Sequence, residues 1–468
     1  MGSETTALRR FLARFAGFFP LIGALTGFVW IPLLTGDVRG EGLGVIGNRF
    51  LSALGKPIGI VVLVQSLYTA LQSILWLRYQ PFYRPGAIRP PGYNPSGPVP
   101  LGDPEVERAE AQHPDWPKVA IIIPAFNEGP MVERSIRSVL SSDYPRERIE
   151  VLVVDDGSRD DTFFYMQRIR REFPDHVRLI RFPGNRGKRA ALEAGFRAAT
   201  AEFAITIDSD SEVEARTIHA MMAPFLADAK IGAVAGRVAV LNRDSVISRM
   251  LEVQYTLNFD FARAAQSVYR CVAVCPGALS AFRLSVIRPH LSDWTNQRFL
   301  GRPVNHGEDQ ALTNIVLRAG YDTVYQSTAL INTLAPTKYG QLSRMFLRWD
   351  RSYIVEGFSF ARFMFTRYRQ NHRLLPILHF VISNLRLLLF FYGMTQLPTI
   401  FTDSVSSNVT ALVALLLSAF FSALYYLRME QSFRFLYGVL YAVFSVFMLQ
   451  WILPWALVTV RDERWGTR

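Results

Sequence analysis

Cysteine is almost absent: only Cys271 and Cys275 occur in 468 residues. That excludes a disulfide-built scaffold, and two thiols alone are too few ligands for a structural zinc site. They are expected to be plain reduced thiols. Charged residues are also sparse, at 19%. No G-x-x-x-x-G-K-[S/T] loop occurs, which argues against a P-loop nucleotide triphosphatase. Internal repeats and low-complexity tracts are missing as well. What the chain has in quantity is apolar residues: 50% of the sequence, with a mean hydropathy of +0.15. This is too apolar for an ordinary soluble enzyme and too polar for a chain embedded in lipid throughout.

The apolar residues gather at the two ends. Phe11 to Leu34 and the charge-free Pro57 to Leu77 are each long enough to span a bilayer core of about 30 Å. A cleaved signal peptide is not expected for the first, because its apolar stretch is long and no clear small-residue cleavage site follows. Arg9 and Arg10 precede the first stretch, Arg14 sits near its start, and Arg78, Arg84 and Arg89 follow the second. By the positive-inside rule, the amino terminus and the central region are then cytosolic. Beyond Glu356, FSFARFMFTRYRQ mixes aromatic and basic residues like a helix lying in the membrane interface. Leu374 to Ile400, Thr410 to Leu427 and Phe433 to Val460 are further apolar stretches. Gln450 and Pro454 inside the last suggest a re-entrant or interfacial segment. The expected organisation is two membrane helices over 1–79, a Pro/Gly-rich linker over 80–117, a catalytic domain over 118–356, an interfacial helix over 357–373 and a carboxyl-terminal membrane region over 374–468. The net charge of +12 is spread over loops and membrane flanks. It points to a lipid bilayer partner rather than to nucleic acid.

Within the central region, short β-rich runs alternate with helical patterns: VAIIIPA, MVERSIRSVLSS, IEVLVVDD, TFFYMQRIRREF, VRLIRF, KRAALEAGFRAAT and FAITID. The alternation predicts an α/β fold with a parallel, doubly wound sheet, whose ligands gather beyond the carboxyl ends of the strands. Polar groups collect there: Pro124 to Glu128, Asp155 and Asp156, and Asp208 to Asp210. Asp208 and Asp210 suit a hard divalent cation, Mg²⁺ or Mn²⁺, held between protein and diphosphate oxygens; an acidic turn is the alternative. Asp155 and Asp156 can receive a base or ribose edge, or else cap a turn. Lys188, opening a helix, can offer a cation to a nucleotide. Asp309 in Gly307-Glu-Asp309 precedes a helical pattern and is a candidate general base, or an ordinary acidic helix start. Arg348 can stabilise a departing diphosphate and Trp349 can stack on a sugar ring; the alternative is an aromatic-basic membrane anchor.

VAIIIPAFNE, VVDDGSRDDT, NRGKRAAL, TIDSDS, PGALSAFR, GEDQALT, FLRWDRSY and WGTR occur in this order. The set resembles the membrane-bound family 2 glycosyltransferases, especially hyaluronan synthases and the chitin and nodulation chitin-oligosaccharide synthases. The resemblance implies a cytosolic GT-A domain inserted between transmembrane helices. Pro124, Asn127, Glu128, Asp155, Lys188 and Asp208 would contact the UDP-sugar donor, with Asp208 and Asp210 on the metal. Asp309 would be the base of an inverting displacement that gives a β-linkage. Gly277 and Trp349 would lie by the growing polysaccharide acceptor, Arg348 by the diphosphate, and Trp465 and Arg468 of WGTR on the nucleotide side. The expected product is a hyaluronan- or chitin-type polymer made from UDP-GlcNAc, UDP-glucuronate or both at the plasma or inner membrane. A non-processive enzyme making a short oligosaccharide or glycolipid, and an inert transporter or scaffold, are the alternatives. One departure stands out: the usual Gln of Gln-x-x-Arg-Trp is Met345, which puts processivity in question.

Overall fold

A computed structural model describes residues 18–23, 57–84, 116–369, 373–396 and 405–462. Most of the first expected membrane stretch, most of the linker, and Trp465 and Arg468 lie outside the described residues.

The run VAIIIPA forms β1 (Val119–Ala125), all seven residues of which are buried. A strand covered on both faces has no use for alternation, which is why it reads as one apolar run. Next comes α2 (Met131–Leu140), whose Val132, Ile136, Val139 and Leu140 share one buried face at helical spacing. β2 (Ile149–Asp155), α3 (Thr162–Glu172), β3 (Val177–Arg181), α4 (Lys188–Ala198) and β4 (Phe203–Ile207) follow. This half matches the elements expected from periodicity.

The second half corrects the expectation of a parallel sheet. One sheet of eight strands is mixed, in the order β3-β2-β1-β4-β7-β6-β10-β5. β5 is Ser211–Val213, β6 Ile231–Val240, β7 Leu279–Arg283 and β10 Asp322–Thr333. β7 runs antiparallel between β4 and β6, and β5 runs antiparallel to β10. Between β6 and β7 lie α5-following segments: α6 (Val246–Tyr255), a π-helical turn (Thr256–Phe261) and α7 (Ala262–Val268), with α5 itself at Thr217–Ala227. Strand direction is set by which neighbour a strand meets across the fold, and no local residue pattern carries it. The reversal of β7 matters for function: its first residue, Leu279, pairs with the last of β4, Ile207. The loop Cys275–Ala278 is thereby brought to the edge where Asp208 sits.

A two-stranded hairpin, β8 (Arg298–Phe299) with β9 (Arg302–Pro303), precedes α8 (Glu308–Arg318). After β10 comes α9 (Tyr339–Phe363), a single 25-residue helix that runs through Glu356 and Gly357. The aromatic-basic stretch begins within this helix and packs on the body that carries the sheet. Phe360, Phe363, Met364 and Tyr368 pack with Cys271 and Leu317, and the buried Arg369 pairs with Asp322 at 3.0 Å.

The helix over Pro57–Arg78, α1, docks on the same body. Tyr79, just beyond it, donates to the Tyr325 carbonyl (3.1 Å) and accepts from the Ser327 N–H (2.9 Å). The apolar carboxyl-terminal stretches form α10 (Leu374–Gln396), α11 (Val405–Glu430), α12 (Leu436–Met448) and α13 (Ile452–Val458). Among the described residues no single helix is long and apolar enough to cross a membrane. Phe433–Met448 with Ile452–Val458, bent by 47°, meets the length and composition together. The bend falls in the stretch whose Gln450 and Pro454 suggested an interrupted segment.

Candidate active site

α4 begins at Lys188, and the loop before it is fixed from β2. The Asp156 carboxylate accepts from the N–H groups of Arg186 (2.7 Å) and Gly187 (2.8 Å). Asp156 therefore does the work of a turn. Asp155 is fully buried; its Oδ1 accepts from the Ser158 N–H (2.9 Å). Its Oδ2 lies 3.1 Å from the Arg181 Nε, close enough for charge attraction but without hydrogen-bond geometry. Across the loop, the Asn127 N–H donates to Ser158 Oγ (3.0 Å) and Asn127 Oδ1 accepts from the Arg159 N–H (2.9 Å). The Glu128 N–H donates to Thr162 Oγ1 (2.7 Å). The loops following β1 and β2, from Pro124 onward, are thus one tied unit, with Asn127 held at φ +53°.

Lys188 Nζ reaches Asp208 Oδ1 at 2.6 Å and Glu308 Oε1 at 3.1 Å. Burial pushes its pKa down, but the two carboxylates outweigh burial and raise it above the ordinary lysine value. Glu308 stands beside Asp309 at the start of α8. Asp309 Oδ2 accepts from the Gly277 N–H (3.0 Å) and Oδ1 from the Gln310 N–H (2.8 Å). Burial, reinforced by the Glu308 charge, holds the Asp309 carboxyl above the ordinary aspartate range. For Glu308 burial acts upward too, but Lys188 and Arg348 overcome it and the net shift is downward. Two adjacent carboxylates pushed apart in this way give one that stays ionised and one able to take a proton. A Cβ at Gly277 would stand 2.9 Å from Lys188 Nζ, so a larger residue there would displace the ammonium from its carboxylates. The sequence reading assigned no role to Glu308, although it lies inside the GED motif; its proximity to Lys188 is a tertiary fact.

Asp210 is at the other side of the β4 edge, with its Oδ1 accepting from Ser211 Oγ (3.3 Å) and Thr333 Oγ1 (3.4 Å). Asp208 and Asp210 present hard oxygen donors. Among the described residues no group of three or more His, Cys, Asp or Glu could hold a metal ion. Two carboxylates alone would leave most of a hard cation's coordination to ligands from outside the protein.

Trp349 packs against Tyr255 (ring centroids 6.3 Å), Phe259 (6.0 Å) and Phe346 (5.3 Å). Phe259 lies in the π-helical turn, a feature frequent at functional sites, and neither it nor Tyr255 was signalled by local sequence. Met345, at the usual glutamine position, is buried, and its Sδ accepts from the Tyr255 hydroxyl (3.9 Å). It supports the aromatic platform. Two residues past Trp349, the buried Arg351 bonds Thr459 Oγ1 (3.2 Å) and pairs with Asp462 (3.4 Å), tying the end of the described chain to α9. His306, pushed down to about 4 by burial and by Arg351 and Arg189, is a neutral imidazole 3.4 Å from Ser352 Oγ.

Carboxylates follow the parallel strands β2 and β4, and Lys188 joins Asp208 to Glu308 beside Asp309, an arrangement on a GT-A-like mixed sheet that suits a glycosyltransferase. Residues 120–291 match "Glycosyl transferase family 2". The chain is 30% identical over 362 residues to a hyaluronan synthase of Streptococcus pyogenes, covering 75% of this chain and 83% of that one. It is 29% identical over 358 residues to an N-acetylglucosaminyltransferase of Azorhizobium caulinodans, covering 76% and 88%. A mannosyltransferase from Pyrobaculum calidifontis, solved with GDP-Man and Mn²⁺, shares the fold with a TM-score of 0.53 at 20% identity over 83% of this chain and 98% of that one. The protein belongs to glycosyltransferase family 2.

Proposed function

We propose that the chain is a membrane-integrated, inverting β-glycosyltransferase that polymerises sugars from UDP-sugar donors into a hyaluronan- or chitin-type polysaccharide and secretes it. The observation that carries this reading is the cluster Lys188, Asp208, Glu308, Asp309 and Gly277, in which one lysine joins the donor-side carboxylate to the base-side pair. The relatives named hyaluronan synthase and N-acetylglucosaminyltransferase support the donor class.

In the proposed step the acceptor hydroxyl attacks the anomeric carbon and its proton passes to Asp309. The bond from that carbon to the diphosphate breaks with its electron pair, and UDP leaves. Lys188 and Arg348 face the charge that develops on the diphosphate, and Trp349 carries the acceptor sugar. Attack on the face opposite the leaving group turns an α-linked donor into a β-linked product. Asp208 and Asp210 would hold Mg²⁺ or Mn²⁺, which supplies charge neutralisation on the diphosphate. The terminal Trp465 and Arg468 are proposed to close on the nucleotide, which Arg351 favours by tethering the segment before them. Pro124, Asn127, Glu128 and Asp155 are assigned to the nucleotide. The apolar segments at both ends are assigned to a plasma or inner membrane, with the catalytic domain cytosolic.

The test is UDP release by detergent-purified protein with Mn²⁺ or Mg²⁺, with UDP-GlcNAc, UDP-glucuronate, UDP-glucose and the first two together as donors, and with the product sized on a gel. Long polymer from UDP-GlcNAc with or without UDP-glucuronate, lost on chelation and restored by metal, is the expected result. Short product only would replace polymerisation by oligosaccharide or glycolipid synthesis.

A further inference from the structure

α4 opens with two consecutive cations, and the reading above employs only Lys188. Arg189 is just 5% exposed. Its hydrogen-bond partners are uncharged: Nη1 donates to the Trp294 carbonyl and to Gln297 Oε1, both at 2.7 Å, and Nη2 to the His306 carbonyl at 3.0 Å. The guanidinium lies 5.4 Å from the centre of the Trp294 ring, and Nε has no partner. Glu308, Glu356 and Asp309 offset the charge through space, and the bonds of the guanidinium go to the backbone and side chain that flank the base.

The groups it grips bracket one stretch of chain, residues 294–306, which carries the β8–β9 hairpin and ends at the turn before α8. Gly307, the next residue, is left-handed at φ +69°, and the torsions there aim the first turn of α8, including Asp309. The same stretch is held from other sides. Trp294 Nε1 donates to the Glu308 carbonyl (3.2 Å), Gln297 Nε2 to Glu356 Oε1 (2.7 Å), and Asn314 Nδ2 to Glu356 Oε2 (2.9 Å). Arg189 is the member of this network that comes from the helix bearing Lys188. The turn of helix that binds the donor-side carboxylate therefore also grips the peptide preceding the base.

We propose that Arg189 is a positioning residue for sugar transfer, its guanidinium locking the His306 carbonyl so that Gly307 directs the Asp309 carboxylate at the acceptor hydroxyl. The inference rests on the assignment of Asp309 as base. A planar fork that bridges three oxygens is not replaced by an ammonium, and displacement of a reacting group by about 1 Å costs on the order of 100-fold in rate.

The experiment compares full-length Arg189→Met and Arg189→Lys with wild type in detergent, reading kcat and KM for UDP release, the Kd for UDP by calorimetry, and the same substitutions in an Asp309→Asn background. The expected result is a fall in kcat of about 100-fold in both single variants, with UDP affinity and donor KM within about threefold of wild type. No further loss is expected when either substitution is added to Asp309→Asn. Should Arg189→Met fail to fold, Arg189→Lys carries the same comparison. A kcat within threefold of wild type in Arg189→Lys and Arg189→Met overturns the proposal, as does a loss that tracks UDP affinity or multiplies with that of Asp309→Asn. If Asp309→Asn itself turned over like wild type, the base assignment would fall and this inference with it. A dead Asp309→Asn beside fast Arg189 variants sinks the inference alone.

Discussion

Asp309 and Glu308 are adjacent carboxylates with opposite pKa shifts, and the sign of that difference sets the pH behaviour. In the proposed step Asp309 works ionised, so the rate falls as pH drops through its pKa. With that pKa raised by burial and by Glu308, the acid limb lies above the ordinary carboxylate range. Glu308→Gln removes the like charge, lowers the Asp309 pKa and is expected to move the acid limb of the kcat profile to lower pH. An unchanged limb would mean that another group is titrating. Lys188 is the counterpart. Lys188→Met leaves the buried Glu308 and the partly exposed Asp208 facing each other without their cation, and stranding a buried charge is strongly destabilising. The expected outcome is a lowered denaturation midpoint together with loss of UDP binding. Retention of both would remove Lys188 from the site.

The helix that carries these carboxylates depends on one glycine. Gly307 sits at φ +69° with the Ser352 Cβ 2.8 Å from where a Cβ would stand. Gly307→Ala is expected to lower stability by about 1–2 kcal/mol from the left-handed backbone alone, measured by chemical denaturation, with activity falling further as α8 is re-aimed. Ser352→Gly in the same chain relieves the contact but not the torsion, so recovery is expected to be partial. Elements of this kind were unevenly readable in advance. From Val119 to Ile207 the strands and helices follow from local periodicity, because each buries its own stripe against its sequence neighbours. The direction of β7, the continuity of α9 through Gly357 and the docking of Phe360 and Arg369 on the catalytic domain all depend on partners distant in the chain. The site divides the same way. Asp208, Lys188 and Asp309 stand in recognisable motifs, whereas Glu308, Tyr255 and Phe259 acquire meaning only when Lys188 and Trp349 come to lie against them.

At the scale of the whole molecule, buried polar contacts fasten the outlying helices to the catalytic body. Arg369, 1% exposed at its side chain, pairs with Asp322, which Arg270 also reaches at 3.3 Å. Arg369→Met removes the buried cation from Asp322, and is expected to cost about 3 kcal/mol and to open the segment after α9 to limited proteolysis. An unaltered digestion pattern would show that apolar packing alone holds it. Arg237 and Glu430 form a more exposed pair between β6 and α11. The reversed β7 has an effect of a different kind, on the order of events during synthesis. A nascent chain that has emerged through Ile207 contains β3, β2, β1 and β4 and can already pair them. Its β4 edge then presents unpaired backbone groups until β7 is made. Registering β7 there waits until the chain has emerged through Arg283. The half-made protein thus holds its donor-side carboxylates beside an open sheet edge, and covering that edge also delivers Gly277 to the site. Edge protection and completion of the catalytic centre are one folding step.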